Sequence, residues 1–300
     1  MSDTDVLVIG GTGTVGSAVV RRLVDRGAKP RVMTRSPESA REDGPETAQY
    51  AYGDLTEPET LPPLFEGVEK LYLLTPLHPN EAKLGICAVE AAEESSVSRV
   101  VYHSIHNVEA DPAPRYHEAK MKVTDSLRES DLGVTLIRPN NFFQNDLLFR
   151  EPIMEKGVYP QPIGNVGLNR VDVRDIADAA VNALLEPGHE GKTYPVVGPD
   201  TLTGPEVAET YSRHLPHQVR YGGNDLGAWT EQAGEMLPEW VVGDFQRNYQ
   251  FFQEQGLRAS REELDHQSEV LGREPRPFDS FVQEVVARWS GEGSEEAREA

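Results

Sequence analysis

The chain has 300 residues, enough for one large domain or one and a half domains with a sizeable buried core. It carries 50 Asp and Glu residues against 29 Lys and Arg residues, and its formal net charge of −21 repels nucleic acid and anionic membrane surfaces. We therefore expect neither of these as a partner.

The basic residues are mostly arginine, since only seven are lysine. An acidic, lysine-poor surface predicts adaptation to high salt, which screens the repulsion between like charges; an ordinary acidic enzyme is the alternative. The single Cys87 cannot form a disulfide within the chain and is expected to be a small core residue in a reducing compartment. We expect no secretory signal and no membrane-spanning segment, and therefore a cytoplasmic location.

The apolar run Val6–Ile9 predicts a strand, and a glycine loop after it opens a helix with apolar residues at helical spacing. Gly11, Gly13 and Gly16 form the pattern G-x-G-x-x-G, which in this context predicts dinucleotide binding. One glycine makes the tight turn, one lets the backbone approach a pyrophosphate, and one lets the helix pack on the strand. A purely structural glycine turn is the alternative. The predicted cofactor-binding residues here are Gly10, Thr12, Gly13, Thr14, Val15 and Gly16.

Strands and helices alternate through the first half of the chain. This alternation indicates βαβ units with right-handed crossovers, and so an α/β fold with a doubly wound parallel sheet. A ligand would then bind outside the C-terminal ends of the strands. The further strands are predicted at Arg31–Met33, Gln49–Tyr52, Lys70–Leu74, Arg99–His103 and Val134–Ile137, with helices near 57–66, 80–95 and 115–130.

The composition changes near residue 150, where proline and glycine become frequent. We predict a dinucleotide-binding domain over residues 1–152, to which residues 168–198 return. A smaller, mostly helical C-terminal substrate domain is predicted over residues 153–167 and 199–289, and residues 290–300 are expected to be a frayed acidic tail. Further elements are predicted as a strand and helix at Asn169–Leu185, a strand at Thr193–Gly198 and a capped helix from Thr203.

The end of the second strand predicts which dinucleotide is bound. Sites that prefer NAD carry an Asp or Glu there for the ribose 2′-hydroxyl, whereas this chain has Arg35 followed by Ser36. A guanidinium can bind a 2′-phosphate with two hydrogen bonds. The sequence therefore favours NADP(H) over NAD(H), with a solvated surface arginine as the alternative.

Two more strand ends supply candidate cofactor contacts. Asp54 and Leu55 follow the third strand and are placed to meet the adenine ring. Leu74, Thr75 and Pro76 close the fourth strand and are expected to lie along the cofactor. Neither group is diagnostic by itself.

The candidate catalytic residues follow the fifth strand. Ser104 lies at the strand end, and Tyr116 and Lys120 are four residues apart, which places them on one face of a helix. A neighbouring ammonium favours the phenolate, so Lys120 is expected to lower the pKa of Tyr116 and let its hydroxyl deliver a proton. Ser104 would hold a substrate carbonyl, and Lys120 would also bind ribose hydroxyls. A solvated helix face is the alternative.

Other chemistries have weaker support. His103, His106 and His117 suggest a metal cluster, but no Cys or carboxylate set accompanies them at ligand spacing. We expect ordinary loop histidines and no metal. The chain also lacks G-x-S-x-G, H-E-x-x-H and G-K-[ST], so hydrolase and kinase functions have no motif.

Taken together, these motifs resemble those of the NmrA-like, or atypical, short-chain dehydrogenase/reductases within the NAD(P)-binding Rossmann superfamily. The resemblance runs from Val6 to about Trp289. It rests on the glycine loop, Lys120, and the segments Thr34–Pro37, Gly53–Leu55, Leu73–Pro76, Leu136–Asn145, Asp172–Asp178 and Leu271–Phe281.

The resemblance implies an NADP(H)-binding domain with a small substrate domain. It also implies that the loop of Arg138, Pro139 and Asn140, followed by Phe142 and Phe143, borders the nicotinamide and the substrate. Some members of the family reduce quinones or enone-like substrates with NADPH, whereas others bind the dinucleotide and act as regulators without turnover. Many members lack the tyrosine, and the presence of Tyr116 here favours an enzyme.

The prediction is thus an NADPH-dependent oxidoreductase that transfers a hydride to a small quinone or carbonyl compound, acting as a monomer or homodimer. Phe142, Phe143, Phe251 and Phe252 are expected to line its mostly hydrophobic pocket. The alternative is a non-catalytic NADP(H)-sensing protein that binds a partner protein. A sugar-nucleotide epimerase is a third option, disfavoured by the short substrate region.

Overall fold

Nine strands and twelve α-helices are present in the part of the chain that the computed structural model describes, residues 5–110 and 115–291. The strands are β1 (Val6–Ile9), β2 (Arg31–Thr34), β3 (Gln49–Tyr52), β4 (Lys70–Leu73), β5 (Arg99–His103), β6 (Gly133–Pro139), β7 (Val158–Tyr159), β8 (Thr193–Val196) and β9 (Arg220–Tyr221).

The α-helices cover both faces of the main sheet and make up most of the C-terminal region. They are α1 (Thr14–Asp25), α2 (Pro37–Asp43), α3 (Pro62–Phe65), α4 (Glu81–Glu93), α5 (Arg115–Glu129), α6 (Arg150–Lys156), α7 (Val173–Leu185), α8 (Gly204–His214), α9 (Leu226–Gly234), α10 (Glu239–Glu254), α11 (Arg261–Leu271) and α12 (Phe278–Trp289). Two 3₁₀ helices span Pro58–Thr60 and Phe143–Phe149.

Seven strands form one parallel sheet in the order β3-β2-β1-β4-β5-β6-β8. In its register, Val8 of β1 lies between Val32 of β2 and Tyr72 of β4. Every residue of β1 is buried, because helices cover both sides of the sheet. The strand order reverses between β1 and β4, which creates a crevice at the C-terminal ends of these strands. The predicted doubly wound parallel sheet is confirmed.

Two hydrophobic cores fix the sheet between its helices. Val8, Val20 of α1 and Ile176 of α7 belong to the core on one face. Leu7 and Val89 of α4 belong to the core on the other face. Because side chains alternate along a strand, the neighbours Leu7 and Val8 serve opposite faces, and β1 is anchored on both.

A third core, which we call the C-terminal core, joins the 3₁₀ helix at Phe143–Phe149 to helices α8, α10 and α12. Next to it the fully buried Arg170 donates from Nη2 to Asp146 Oδ1 at 2.7 Å. Removing either partner would leave a buried unpaired charge, which costs about 3–5 kcal/mol. This pair therefore ties the chain returning to the main sheet to the C-terminal core.

Some local predictions are confirmed and others are wrong. The predicted capped helix is confirmed, since α8 begins directly after Thr203. The Thr203 side chain accepts from the Glu206 N–H in a capping box. The predicted helix at 57–66 is broken into two short helices, because Pro62 lacks the N–H that a continuous helix needs. The strand expected at the start of Asn169–Leu185 makes only isolated bridges, and the chain enters α7 through the N-cap Asp172.

The C-terminal region contains more than helices, since β7 and β9 pair in a small parallel sheet that was not predicted. The domain boundaries remain predictions, and the expected tail lies outside the described residues from residue 292 onward. Cys87 is half-buried against the core around α4 rather than inside it. None of the described helices is both long enough and apolar enough to cross a membrane.

Candidate functional site

The glycine loop joins β1 to α1 at the crevice of the sheet. Gly10 has φ +83°, a conformation that residues with a Cβ rarely adopt, and its carbonyl accepts from the Gly13 N–H at 3.3 Å. A Cβ on Gly16 would overlap the Gly10 carbonyl, so this glycine allows the helix to sit tightly on the loop. A Cβ on Gly13 would meet nothing closer than that carbonyl oxygen, at 3.8 Å. Packing within the protein thus requires glycine at position 16 but not at position 13.

The N-terminus of α1 carries no local anion. Its N-cap residue is Gly13, no side chain caps it, and its first turn contains no acidic residue. The unpaired N–H groups and the helix dipole therefore favour binding of an external anion. The space that Gly13 leaves open lies beside them, which fits a pyrophosphate.

A cleft of about 760 Å³ extends from this loop along the ends of β1 to β4. Many of the predicted cofactor-binding residues line it. They are Gly10, Thr12, Gly13, Arg35, Asp54, Leu55, Leu74, Thr75 and Pro76.

One part of the cleft, which we call the Arg35 end, lies at the C-terminal ends of β2 and β3. The Arg35 side chain is exposed, and no described residue makes a hydrogen bond or an ion pair with its guanidinium. Arg21, Ser39 and Tyr50 also line the cleft, and sequence reasoning did not identify them. Arg21 lies two turns into α1, where a helical projection from the glycine loop could have suggested it.

Asp54 lines the same cleft, but its carboxylate is already engaged. Its Oδ1 accepts from the backbone N–H and from the hydroxyl of Thr56, both at 2.8 Å. The bond from the Thr56 N–H is the largest influence that lowers the pKa of Asp54. The Asp54 side chain therefore stabilises the turn in which it lies. Leu55 is an apolar residue in the adjacent wall of the cleft.

The opposite part of the cleft, which we call the Thr75 end, has Leu74, Thr75 and Pro76 in its wall. Behind that wall lies the buried Lys120. Its Nζ donates to Thr75 Oγ1 at 2.8 Å and to the carbonyl oxygen of His103 at 3.1 Å, and pairs with Glu81 Oε1 at 3.1 Å. These three contacts match the three donors of an ammonium.

The expected coupling between Tyr116 and Lys120 is wrong. The half-buried Tyr116 hydroxyl donates to Asn248 Oδ1 of α10 at 2.8 Å. Burial raises the pKa of Tyr116, with smaller contributions from Glu81 and Asp244 in the same direction. The two residues share a helix face as predicted, but that geometry does not produce a phenolate.

Ser104 lies directly after β5 and is completely buried. Its Oγ has no hydrogen-bond partner among the residues that the structure describes. A buried hydroxyl without a partner is costly. Ser104 is not part of the wall of the cleft, so the structure does not bring this hydroxyl to a ligand bound there.

The remaining predicted residues lie outside the wall of the cleft. Thr14, Val15 and Gly16 form the first turn of α1. Pro139 is buried at the end of β6, and the Asn140 amide donates to the carbonyl of Leu257 at 2.8 Å.

None of the four phenylalanines expected to line the substrate pocket lies in the wall of the cleft. The Phe142 ring meets His103 edge to face, with ring centroids 6.1 Å apart. Phe143 is fully buried and packs on Phe278 in the C-terminal core, where Phe252 also lies, so neither faces the cleft. Phe251 contacts the His117 ring.

The three histidines do not form a metal site, and two of them are not loop residues. His103 ends β5 and its Nδ1 shares a 2.9 Å hydrogen bond with the Tyr72 hydroxyl, while His117 lies on α5. His106 Nε2 lies 2.8 Å from Glu263 Oε1. Within residues 5–110 and 115–291, no three His, Cys, Asp or Glu side chains are placed to hold a metal ion.

Glu81 was not identified from the sequence, although it contacts Lys120. It lies in the first turn of α4, and it also lines a second cavity of about 300 Å³ together with Tyr116 and Asp244. A carboxylate at the first position of the helix that follows a central strand is the available sequence signal.

Comparison with known proteins identifies the family. The sequence profile of the NmrA-like family matches residues 2–282. The chain belongs to the NmrA-like family. This result agrees with the resemblance noted from the motifs, which spans almost the same residues.

Relatives cover essentially the full length of the NmrA-like chain. It is 34% identical over 283 residues to the NAD(P)H azoreductase of Xenophilus azovorans, covering 94% of this chain and 98% of that protein. It is 32% identical over 294 residues to the (4-alkanoyl-5-oxo-2,5-dihydrofuran-3-yl)methyl phosphate reductase of Streptomyces griseus, covering 96% of this chain and 100% of that protein. The fold matches the NADPH complex of a quinone oxidoreductase from Escherichia coli with a TM-score of 0.83 and 21% identity, over 93% and 99% of the two chains.

Proposed function

We propose that this NmrA-like protein is a nicotinamide-dinucleotide-dependent reductase that prefers NADPH and reduces a quinone or a similar small conjugated acceptor. Two full-length relatives are named reductases, one of them an NAD(P)H azoreductase. Quinones and azo compounds both accept a hydride equivalent and a proton at a conjugated system, so one kind of site suits either.

The observation that carries this proposal is the cradle at the start of α1. The open face of Gly13 and the uncapped N-terminus of the helix fit a pyrophosphate. Neither feature improves packing within the protein, since a Cβ at Gly13 would fit. Their combination is explained by a dinucleotide.

The Arg35 end supports the preference for NADPH. Arg35 is exposed in the wall of the cleft with no carboxylate bound to it, although the whole chain carries a net charge of −21. A 2′-phosphate would satisfy this guanidinium through charge-assisted hydrogen bonds, whereas the NAD ribose offers only a hydroxyl.

At the Thr75 end the protein supplies positive charge and a hydroxyl group. When bound, NADPH would supply the hydride, and water would supply the one proton that the acceptor also gains. The Lys120 ammonium behind Thr75 stabilises negative charge that develops on the acceptor, because electrostatic effects are strong in a buried site. Ser104, which was expected to hold a substrate carbonyl, is completely buried outside the wall of the cleft and has no role in this proposal. Tyr116 holds its proton firmly and is not the proton donor in this proposal.

Turnover of NADPH with a panel of small acceptors tests the proposal. Benzoquinone, a naphthoquinone, an azo dye and an aliphatic aldehyde are each mixed with the protein, and loss of NADPH absorbance is followed at low and high salt. We expect turnover with the quinones or the azo dye, and a higher kcat/KM with NADPH than with NADH. Binding of NADPH without turnover of any acceptor would instead support the regulatory alternative, and no binding would overturn both.

Other features of the protein remain predictions under this proposal. They are a cytoplasmic location, a monomeric or homodimeric state and adaptation to high salt. The salt adaptation is tested directly by thermal unfolding, since the unfolding temperature should rise with added KCl if repulsion among the acidic residues limits stability.

A further inference from the structure

A buried ion pair lies directly behind the Thr75 end of the cleft. Glu81, Lys120 and Thr75 are only 4%, 6% and 5% exposed. The Thr75 hydroxyl donates to Glu81 Oε1 at 2.6 Å and accepts from Lys120 Nζ at 2.8 Å, and the Glu81–Lys120 contact closes the triangle at 3.1 Å. Three elements, β4, α4 and α5, thus meet at one polar cluster.

Glu81 is the charged partner that favours the ammonium form of the buried Lys120. Burial lowers the pKa of Lys120, and Glu81 is the group that opposes this effect through its charge and hydrogen bond. The neighbouring strand contributes the Tyr102 ring, 5.4 Å from Nζ, and the His103 carbonyl, but no carboxylate. On the outer side, the wall of the second cavity contains further titratable residues, namely His78, Lys83, Tyr116, Glu118, Lys122 and Asp244.

We propose that Glu81 is a positioning residue of the site: its carboxylate keeps the Lys120 ammonium charged and holds it against Thr75 at the wall of the cofactor cleft. This inference rests on the proposed reductase function. Without Glu81 the amine would be buried with only neutral partners, and an isolated buried charge is strongly disfavoured. Lys120 would then lose its proton more easily, and the Thr75 hydroxyl would lose the acceptor that fixes its hydrogen.

The position of Glu81 makes this role efficient. The carboxylate lies in the first turn of α4, where the helix dipole stabilises negative charge. The carboxylate contacts Lys120 Nζ and accepts from the Thr75 hydroxyl. Glu81 therefore acts on both the charge of Lys120 and the orientation of the Thr75 hydroxyl. Because Glu81 faces the second cavity and not the cofactor cleft, it acts through Lys120 and Thr75 without touching the ligands.

The test compares Glu81→Gln, Glu81→Asp and the control Glu118→Gln. The control removes the partner of Lys122, an exposed pair at 3.0 Å on the same helix as Lys120. The first readout needs no cofactor. The ¹³Cε signals of the seven lysines are followed by NMR as a function of pH in the full-length protein. The signal of Lys120 is identified by its absence in Lys120→Arg. We expect Glu81→Gln to move the Lys120 titration to lower pH, Glu81→Asp to restore much of it, and Glu118→Gln to leave it in place.

The second readout is the pH profile of kcat/KM. In Glu81→Gln its alkaline limb should move to lower pH, with a loss of about tenfold at the alkaline end, while Kd for NADP⁺ measured by calorimetry stays within about twofold. An unchanged Lys120 titration in Glu81→Gln would overturn the inference whatever the activity. If the wild-type protein turns over no acceptor, the proposed function fails, and the NMR titration still decides the role of Glu81. Should Glu81→Gln fail to fold, Glu81→Asp takes its place: its shorter side chain lengthens the contact, so the Lys120 titration should move slightly to lower pH, and no movement would overturn the inference.

Discussion

The Arg35 end and the Thr75 end of the cleft differ in where their polar groups are directed. At the Arg35 end and the glycine loop, the guanidinium and the helix N–H groups have no partners in the described protein and face open space. At the Thr75 end, Lys120 and Glu81 are buried and satisfy one another. A binding surface keeps its polar groups free for the ligand, whereas a reaction site needs them held in a fixed geometry.

The largest expected effects come from a matched pair of glycine substitutions in the loop. Gly16→Ala forces a methyl group into the Gly10 carbonyl, so it should destabilise the fold by more than about 3 kcal/mol. Gly13→Ala fits the protein, so its free energy of unfolding should change by less than about 1 kcal/mol, while its Kd for NADPH rises at least about 100-fold. Urea unfolding and calorimetry give the two quantities. Loss of stability without loss of affinity in Gly13→Ala would show that its glycine serves packing.

A second effect concerns His117, which lies on α5 between Tyr116 and the ring of Phe251. Burial lowers the pKa of His117 to about 4, below its ordinary value of 6.5. The folded state therefore binds this proton less readily than the unfolded state, and stability that is fully present above pH 6.5 is lost as the pH falls toward 4.

Over that range the loss should be on the order of 3 kcal/mol. Urea unfolding of the wild type and of His117→Phe as a function of pH measures it, since the variant should lack this part of the slope. His103 contributes in the same direction, because burial lowers its pKa as well, so the wild-type slope includes both residues. Parallel slopes in the two proteins would contradict the assignment to His117.

The third effect separates the two dinucleotides at the Arg35 end. Arg35→Asp replaces a partner of the 2′-phosphate with a group that repels it, so the Kd for NADPH should rise about 10- to 100-fold, as expected for lost charge-assisted hydrogen bonds. The Kd for NADH should change by less than about threefold. Lys29→Asp is the control, because it changes the net charge by the same amount at a position six residues before Arg35. Equal losses for both dinucleotides would remove Arg35 from the 2′-phosphate site.

The smallest expected effect is that of Tyr116→Phe. Because the hydroxyl bonds Asn248 and burial raises its pKa, the variant should retain the wild-type turnover rate for a quinone within about threefold. Its stability should fall by about 1 kcal/mol through the lost hydrogen bond, and Asn248→Ala should have a similar cost. Steady-state kinetics and urea unfolding measure the two effects. If the variant instead turned over the quinone about two orders of magnitude more slowly, Tyr116 would be restored as the proton donor.

Much of the fold could be predicted because its signals are local. The apolar strands, the glycine loop and the polar residue after each strand end are read directly from neighbouring residues, and the parallel sheet and the cleft lining agree with them. The local errors also have local causes, such as the break at Pro62. Glu81 was overlooked because its partner lies 39 positions away, and no spacing rule connects them.

What the sequence determined by itself is the sheet, the phosphate-binding turn and a guanidinium at the end of β2, since each follows from the order of residues along a few turns of chain. What only the tertiary structure decided is the state of the buried side chains. Tyr116 bonds a residue 132 positions away, Phe143 turns into the C-terminal core, and Lys120 meets Glu81. Spacing along one helix fixes which side chains share a face, but the elements packed against that face decide their charge and partners.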